Sequence, residues 1–124
     1  PYESNSFDVI FTINVMHHVP PDSWKAFVLE AKRVLKKGGC FVVFEHNPKN
    51  PLTLKTVKDC PFDANAVLLH RSQLHRLIKA CGLSPIRSSY ILFFPFKSKL
   101  FRKMERLLSW LPLGAQYFHI SKCD

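Results

Sequence analysis

The chain has 124 residues, of which 47% are hydrophobic and 22% are charged, a composition that suits one globular domain and excludes an intrinsically disordered chain. No apolar run approaches the ~20 residues that a membrane-spanning helix needs, and no segment has the pattern of a signal peptide, so a cytoplasmic location is expected. Eighteen Lys and Arg against nine Asp and Glu give a net charge of +9. This excess favours anionic partners, but charge alone does not indicate nucleic-acid binding.

The first predicted element is a buried parallel strand. Phe7 to Ile13 is almost continuously apolar, and the run stops at Asn14, where polar residues begin. An amphipathic helix is predicted next. Pro20 to Asp22 would start and cap it, Trp24 to Leu35 carries the apolar spacing, and Gly38 would end it.

Cys40 to Glu45 is predicted as a second buried parallel strand, reached by a right-handed crossover. Residues 46 to 66 contain Pro48, Pro51 and Pro61, which predicts a long loop with a short helical turn around 52–57. Loops of this length usually close over a site, although a tolerated insertion is the alternative.

Four further elements are predicted in the second half. They are a helix over 72–81 that ends at Gly82, a strand over 88–94, a helix over 99–111 that ends before Pro112, and a strand over 116–121. The third helix has a basic side, formed by Lys99, Arg102, Lys103 and Arg106, that could contact an anionic membrane. Packing of its apolar side against the sheet is the favoured alternative.

The cysteines and histidines do not predict a metal site. Cys40, Cys60, Cys81 and Cys123 lack the paired spacing of zinc ligands, which favours buried free thiols. His17 and His18 are adjacent, and His70 and His75 would point to different sides of a helix.

Short motifs around both strand ends resemble the second half of the catalytic domain of class I S-adenosylmethionine-dependent methyltransferases. The matching residues are Met16, His17, His18 and Val19, then Arg33, Val34, Leu35, Lys36, Gly38 and Gly39, and finally Glu45. The resemblance covers nearly the whole chain. It implies an α/β fold, the C-terminal part of a Rossmann-like methyltransferase sheet, with parallel strands near 7–13 and 40–45 and antiparallel edge strands near 88–94 and 116–121.

The resemblance also implies a function. It is methyl transfer from the cofactor S-adenosylmethionine to a small-molecule or lipid-like acceptor, and the alternative is a non-catalytic binding or dimerisation module. Asn14, Val15 and Met16 are the expected cofactor contacts, although Val15 and Met16 could simply be core residues. His17 and His18 are candidate general bases because imidazole titrates near neutrality, although a histidine at this position could instead cap or orient the loop.

Substrate contacts are expected from the second strand end and the long loop. The candidates are Glu45, His46, Asn47, Phe62 and Asp63, because ligands of open α/β sheets collect at the carboxyl ends of strands. Phe62 could exclude water. Glu45 could instead anchor a loop, and Asp63 could cap the segment that follows it.

The glycine-rich cofactor loop of the family does not precede Phe7, and the four glycines of the chain do not form one. We therefore expect residues 1–124 to be a partial domain of a longer enzyme that binds the cofactor weakly when isolated. The Phe7 to Ile13 strand would then have an unpaired apolar edge, which predicts a homodimer or aggregation.

Overall fold

The computed structural model describes residues 2–94 and 99–124, without the side chains of residues 101 and 102. Its strands are β1 (Phe7–Ile13), β2 (Leu35–His46), β3 (Ser84–Ile91) and β4 (Gln116–Lys122), and its α-helices are α1 (Trp24–Val34), α2 (Pro51–Asp59), α3 (Arg71–Ala80) and α4 (Lys99–Leu108). Short 3₁₀ turns occur at Met16–His18, Pro21–Ser23 and Pro61–Asp63.

The four strands form one mixed sheet in the order β1-β2-β4-β3. β1 and β2 are parallel, whereas β4 lies antiparallel between β2 and β3. The predicted α/β class, the parallel pair and the antiparallel pair at the far edge are confirmed.

One face of the sheet carries the core. Helices α1 and α3 cover this face, and the buried side chains they share with the strands are Val28, Ala31, Leu35, Phe41, Val43, Leu74, Ile78, Tyr90 and Tyr117. Burial alternates along β2 and β4, as expected of strands with one face against helices. The Tyr117 hydroxyl, buried in this core, donates to the Leu69 carbonyl oxygen at 2.6 Å, and burial raises the tyrosine pKa.

The other face is only partly covered by the described residues. At the edge strand β1, Val9, Phe11 and Ile13 are 56%, 67% and 56% exposed. Their neighbours in register, Val42 and Phe44 of β2, are half-buried. An apolar surface therefore extends across this face from an edge strand that has a described partner on one side only.

The first helix ends earlier than predicted. α1 stops at Val34, because the backbone N–H groups of Asn5 and Ser6 donate to the carbonyl oxygens of Arg33 and Val34 at 3.1 and 2.8 Å. Leu35 is already extended and fully buried, and Gly38 lies inside β2 at φ +84°, where the register with β1 shifts. The predicted Asp22 cap is also wrong, since Asp22 lies within a 3₁₀ turn.

The segment 46–66 is more regular than predicted. Pro51 begins the nine-residue helix α2, and the Asn50 side chain caps it by accepting from the Thr53 N–H at 3.0 Å. Strand β3 starts at Ser84 rather than 88, because an edge strand tolerates Pro85 beside a register shift. It ends at Ile91, since Leu92 adopts a positive φ of 60°.

Helix α4 does not bury its apolar stripe against the sheet. Leu100 and Leu107 are 66% and 69% exposed, so the favoured packing prediction is wrong for these positions. The helix ends at Leu108, three residues before the predicted end. The side chain of Arg102, part of the predicted basic side, lies outside the described residues. No helix in the described ranges is both long and apolar enough to span a bilayer.

Candidate functional site

Glu45, at the carboxyl end of β2, holds the loop that follows β1. Its side chain is 1% exposed. One carboxylate oxygen accepts from the N–H groups of Val15 and Met16 at 3.0 and 2.7 Å, and the other lies 2.6 Å from Nδ1 of His17. Of the two predicted roles for Glu45, the structure supports the loop anchor.

The loop itself is a 3₁₀ turn fixed by burial and by one indole. Met16 and His17 are 0% and 1% exposed, whereas His18 is 46% exposed. The Trp24 Nε1–H donates to the carbonyl oxygens of Met16 and Val19 at 3.0 and 2.9 Å. Sequence periodicity placed Trp24 only in the apolar stripe of α1 and missed this anchoring role.

Asp63 approaches both histidines from the other side. Its Oδ1 lies 3.5 Å from Nε2 of His17 and 3.4 Å from Nε2 of His18. The two imidazole rings have centroids 4.1 Å apart, and the ring of His46 is 5.0 Å from that of His17. Burial lowers the pKa of His46, and the neighbouring His17 lowers it further. Five of the predicted site residues, including Glu45 through its contact with His17, thus form one polar cluster.

The predicted cofactor contacts lie beside this cluster. Asn14 leaves the strand at φ +54°, while its N–H still donates to the Phe44 carbonyl oxygen at 2.9 Å. Its side-chain oxygen accepts from Gln116 Nε2 at 3.3 Å. Val15 is 39% exposed, and Met16 is fully buried. Val15 therefore offers an apolar surface at the end of β1, whereas Met16 supports it from the core.

Two predicted substrate contacts lie apart from the cluster. The Asn47 side chain is buried, and its amide donates to the carbonyl oxygens of Pro112 and Gly114 at 2.9 and 2.7 Å. Asn47 thereby anchors the start of β4. Phe62 is 88% exposed and does not cover the cluster in this structure.

The structure also brings together a potential metal-binding group that the sequence spacing did not indicate. One ligand atom each from His17, His18 and Asp63 lies within 4.8 Å of the others. Sequence spacing did not indicate this group because the 3₁₀ turn presents adjacent histidines together and the third possible ligand comes from a distant turn. The four cysteines are free, and burial raises the pKa of Cys81.

Comparison with known proteins supports the predicted resemblance. A family model described as a methyltransferase domain matches residues 1–43. A solved S-adenosylmethionine-dependent methyltransferase from Archaeoglobus fulgidus superposes with a TM-score of 0.74 at 13% identity, over 98% of this chain and 61% of that one. The chain has the fold of S-adenosylmethionine-dependent methyltransferases.

Two further structures of this fold are informative. An S-adenosylmethionine-dependent methyltransferase of Thermotoga maritima gives a TM-score of 0.75 at 22% identity, over 100% of this chain and 59% of that one. The 1,6-didemethyltoxoflavin N1-methyltransferase of Burkholderia thailandensis, solved with S-adenosylhomocysteine, gives 0.63 at 15% identity, over 98% and 46%. This chain therefore spans about half to three fifths of the length of these methyltransferases. No curated protein sequence matched it.

Proposed function

We propose that this chain is the carboxyl-side part of a methyltransferase domain that transfers a methyl group from S-adenosylmethionine to a small-molecule acceptor. The observation that carries the proposal is the loop after β1, which Glu45 fixes at the carboxyl end of two parallel strands. In open α/β sheets this end is where ligands bind. Because the chain has a methyltransferase fold, we expect the ligand at this position to be S-adenosylmethionine.

The residues at the end of β1 fit one side of a cofactor site. Asn14 turns its backbone out of the strand, and Val15 presents an exposed apolar side chain next to it. When bound, S-adenosylmethionine supplies a methyl group already activated by its sulfonium. The protein then has to align two reactants and exclude water, which requires shape and apolar walls more than a charged catalytic cluster.

The polar cluster forms the acceptor side of the proposed site. His18 is the accessible imidazole, and Asp63 lies within 3.4 Å of its Nε2, so His18 is the better candidate for taking a proton from an acceptor. His17 is buried and held by Glu45, which makes it a positioning residue. The half-buried ring of His46 completes this wall of the site.

A small-molecule acceptor is supported by structures of the same fold. The Burkholderia enzyme was solved with 1,6-didemethyltoxoflavin bound, and a Haemonchus contortus phosphoethanolamine N-methyltransferase was solved with phosphomonomethylethanolamine. Both proteins are at most 16% identical to this chain, so they indicate the class of acceptor only.

Calorimetric titration of the full-length protein with S-adenosylhomocysteine tests the cofactor part of the proposal. We expect saturable binding that Val15→Asp weakens at least about tenfold, equivalent to about 1.4 kcal/mol. Ile86→Asp is the matched control, because Ile86 is another exposed β-branched side chain, on the far edge strand β3. Absence of binding, or equal weakening in both variants, would contradict the proposed site.

A further inference from the structure

The distances from one Asp63 oxygen to the imidazole nitrogens of His17 and His18 suit a shared metal ion. Oδ1 of Asp63 lies 3.5 and 3.4 Å from the Nε2 atoms of His17 and His18. Hydrogen bonds between nitrogen and oxygen are normally about 2.7–3.2 Å long, so both separations are long for that purpose. Two ligands of a tetrahedral ion, each about 2.1 Å from it, are about 3.4 Å apart.

The hydrogen bond of Glu45 determines which nitrogen of His17 is available. The buried Glu45 carboxylate already accepts from two backbone N–H groups, and its second oxygen lies 2.6 Å from Nδ1 of His17. Nδ1 therefore carries a proton and donates it. In the neutral imidazole, the lone pair of Nε2 then faces the Asp63 carboxylate, which is also an acceptor. A cation between them removes this repulsion.

This arrangement repeats a feature common to metal-binding histidines. A ligating imidazole usually donates its other N–H to a carboxylate or carbonyl, which fixes the tautomer and the ring orientation. Glu45 provides such a carboxylate to His17, and its own position is fixed by the loop backbone. Two imidazole nitrogens with one carboxylate oxygen suit transition-metal dications such as Zn²⁺, whereas Mg²⁺ and Ca²⁺ prefer oxygen ligands throughout.

We propose that His17 Nε2, His18 Nε2 and Asp63 Oδ1 bind a divalent transition-metal ion of the Zn²⁺ class, with Glu45 as the residue that positions His17. Three protein ligands leave a coordination position open. The half-exposed His18 places this site at an accessible surface beside Asn14 and Val15, where an oxygen or nitrogen of an acceptor could complete the coordination. In the metal-bound state His18 is a ligand rather than a free base. The inference goes beyond the proposed function, because metal binding does not require the cofactor.

Metal binding is best measured on tag-free full-length protein that has been treated with a chelator and dialysed. We expect calorimetry to show one equivalent of Zn²⁺, and both His18→Ala and Asp63→Ala to lower its affinity at least about tenfold. The matched control is His70→Asn, which removes an exposed histidine elsewhere while keeping a residue that can cap α3. Its Zn²⁺ affinity should equal that of the unmodified protein.

Cobalt provides a second readout of the same site. Co²⁺ bound by two imidazoles and a carboxylate should give intense visible absorption bands, which His18→Ala should abolish and His70→Asn should keep. His18 is 46% exposed, so its truncation should not prevent folding, and far-UV circular dichroism checks this. The proposal is overturned if Zn²⁺ does not bind stoichiometrically, or if His18→Ala and Asp63→Ala bind it as tightly as His70→Asn does.

Titration with S-adenosylhomocysteine in the presence of chelator tests the cofactor proposal separately.

Discussion

Among individual residues, Glu45 has the largest influence on the candidate site. Its two oxygens bind two backbone N–H groups and one imidazole, so a single side chain fixes the direction of the loop after β1. The sequence indicated that Glu45 ends a strand near the site but left its role open between ligand contact and anchor. Burial decides between these roles, and burial depends on how α1 and the 3₁₀ turn close over the strand, which a local motif does not specify.

Asn14 and Asp63 are expected to serve different ligands, the cofactor and the acceptor respectively. Asn14→Ala in the full-length protein should weaken S-adenosylhomocysteine binding about tenfold, because Asn14 shapes the left-handed exit from β1. Asp63→Ala should leave cofactor affinity within about twofold, since Asp63 contacts the histidines from the long connection after β2. Calorimetry on the two variants measures both effects. Similar losses in both would reject the assignment.

The buried His119 predicts a pH dependence of stability. Its side chain is fully buried, its Nδ1 has no hydrogen-bond partner among the described residues, and its Nε2 lies 3.3 Å from Nδ1 of His75. Burial, with added repulsion from His75 and Arg71, lowers the pKa of His119 from 6.5 to about 4. Between these two values the unfolded chain binds more protons than the folded one, so stability rises with pH.

The size of this effect can be measured by urea unfolding of the full-length protein. From pH 7 down to about pH 4, His119 should remove up to about 3 kcal/mol of stability. His119→Gln should flatten the profile in this range, whereas His70→Asn, at an exposed position, should leave it unchanged. A variant profile as steep as that of the unmodified protein would show that His119 is not the responsible group.

Among helices and strands, the sequence was most informative where apolar residues follow a continuous run or a helical spacing. The apolar run of β1 and the helical spacing of α1 and α3 predicted elements that the structure contains. Boundaries were less predictable because tertiary hydrogen bonds and prolines decide them. Asn5 and Ser6 end α1 early, and Pro51, which suggested a loop, begins α2.

The helical spacing of apolar residues predicted helix α4, but it did not predict whether other parts of the protein cover its apolar side. Leu107→Ala should change the free energy of unfolding by no more than about 0.5 kcal/mol, since Leu107 is 69% exposed. Leu74→Ala, at a fully buried position of α3, should cost about 2–5 kcal/mol. Chemical denaturation of the full-length protein compares the two. A cost of several kcal/mol for Leu107→Ala would mean that α4 packs against protein that the described residues do not include.

The basic side of α4 predicts contact with an anionic membrane surface. Lys103 and Arg106 lie on the same helix as the exposed Leu100 and Leu107, a combination found in helices that bind membrane surfaces. Co-sedimentation with vesicles that contain anionic lipid, at low and high salt, measures this contact. Absence of salt-sensitive binding would exclude it.

For the whole molecule, the main feature is the sheet face that the described residues cover only in part. Val9, Phe11 and Ile13 are each more than half exposed on a strand that, among the described residues, pairs with β2 alone. A cleft of about 510 Å³ between β1 and α1, lined by Tyr2, Phe7 and Phe27 among others, continues this apolar surface. This chain spans about three fifths of the length of two methyltransferases of the same fold.

The exposed strand predicts that residues 1–124 self-associate when prepared alone. Light scattering over a concentration series should show dimers or larger species, because an apolar edge strand readily pairs with another chain. Phe11→Lys should reduce the association, whereas Leu107→Lys, at a similarly exposed leucine in α4, should not. A monomer that unfolds cooperatively at tens of micromolar would mean that these residues form a self-sufficient domain.

In the proposed function, the chain contributes one wall of a cofactor site and further protein supplies the rest. The most direct test is calorimetric titration of the full-length protein and of residues 1–124 with S-adenosylmethionine under identical conditions. We predict saturable binding to the full-length protein and binding at least about a hundredfold weaker to residues 1–124, a difference of about 2.7 kcal/mol. Equal affinity for both, or absence of binding to the full-length protein, would contradict the claim.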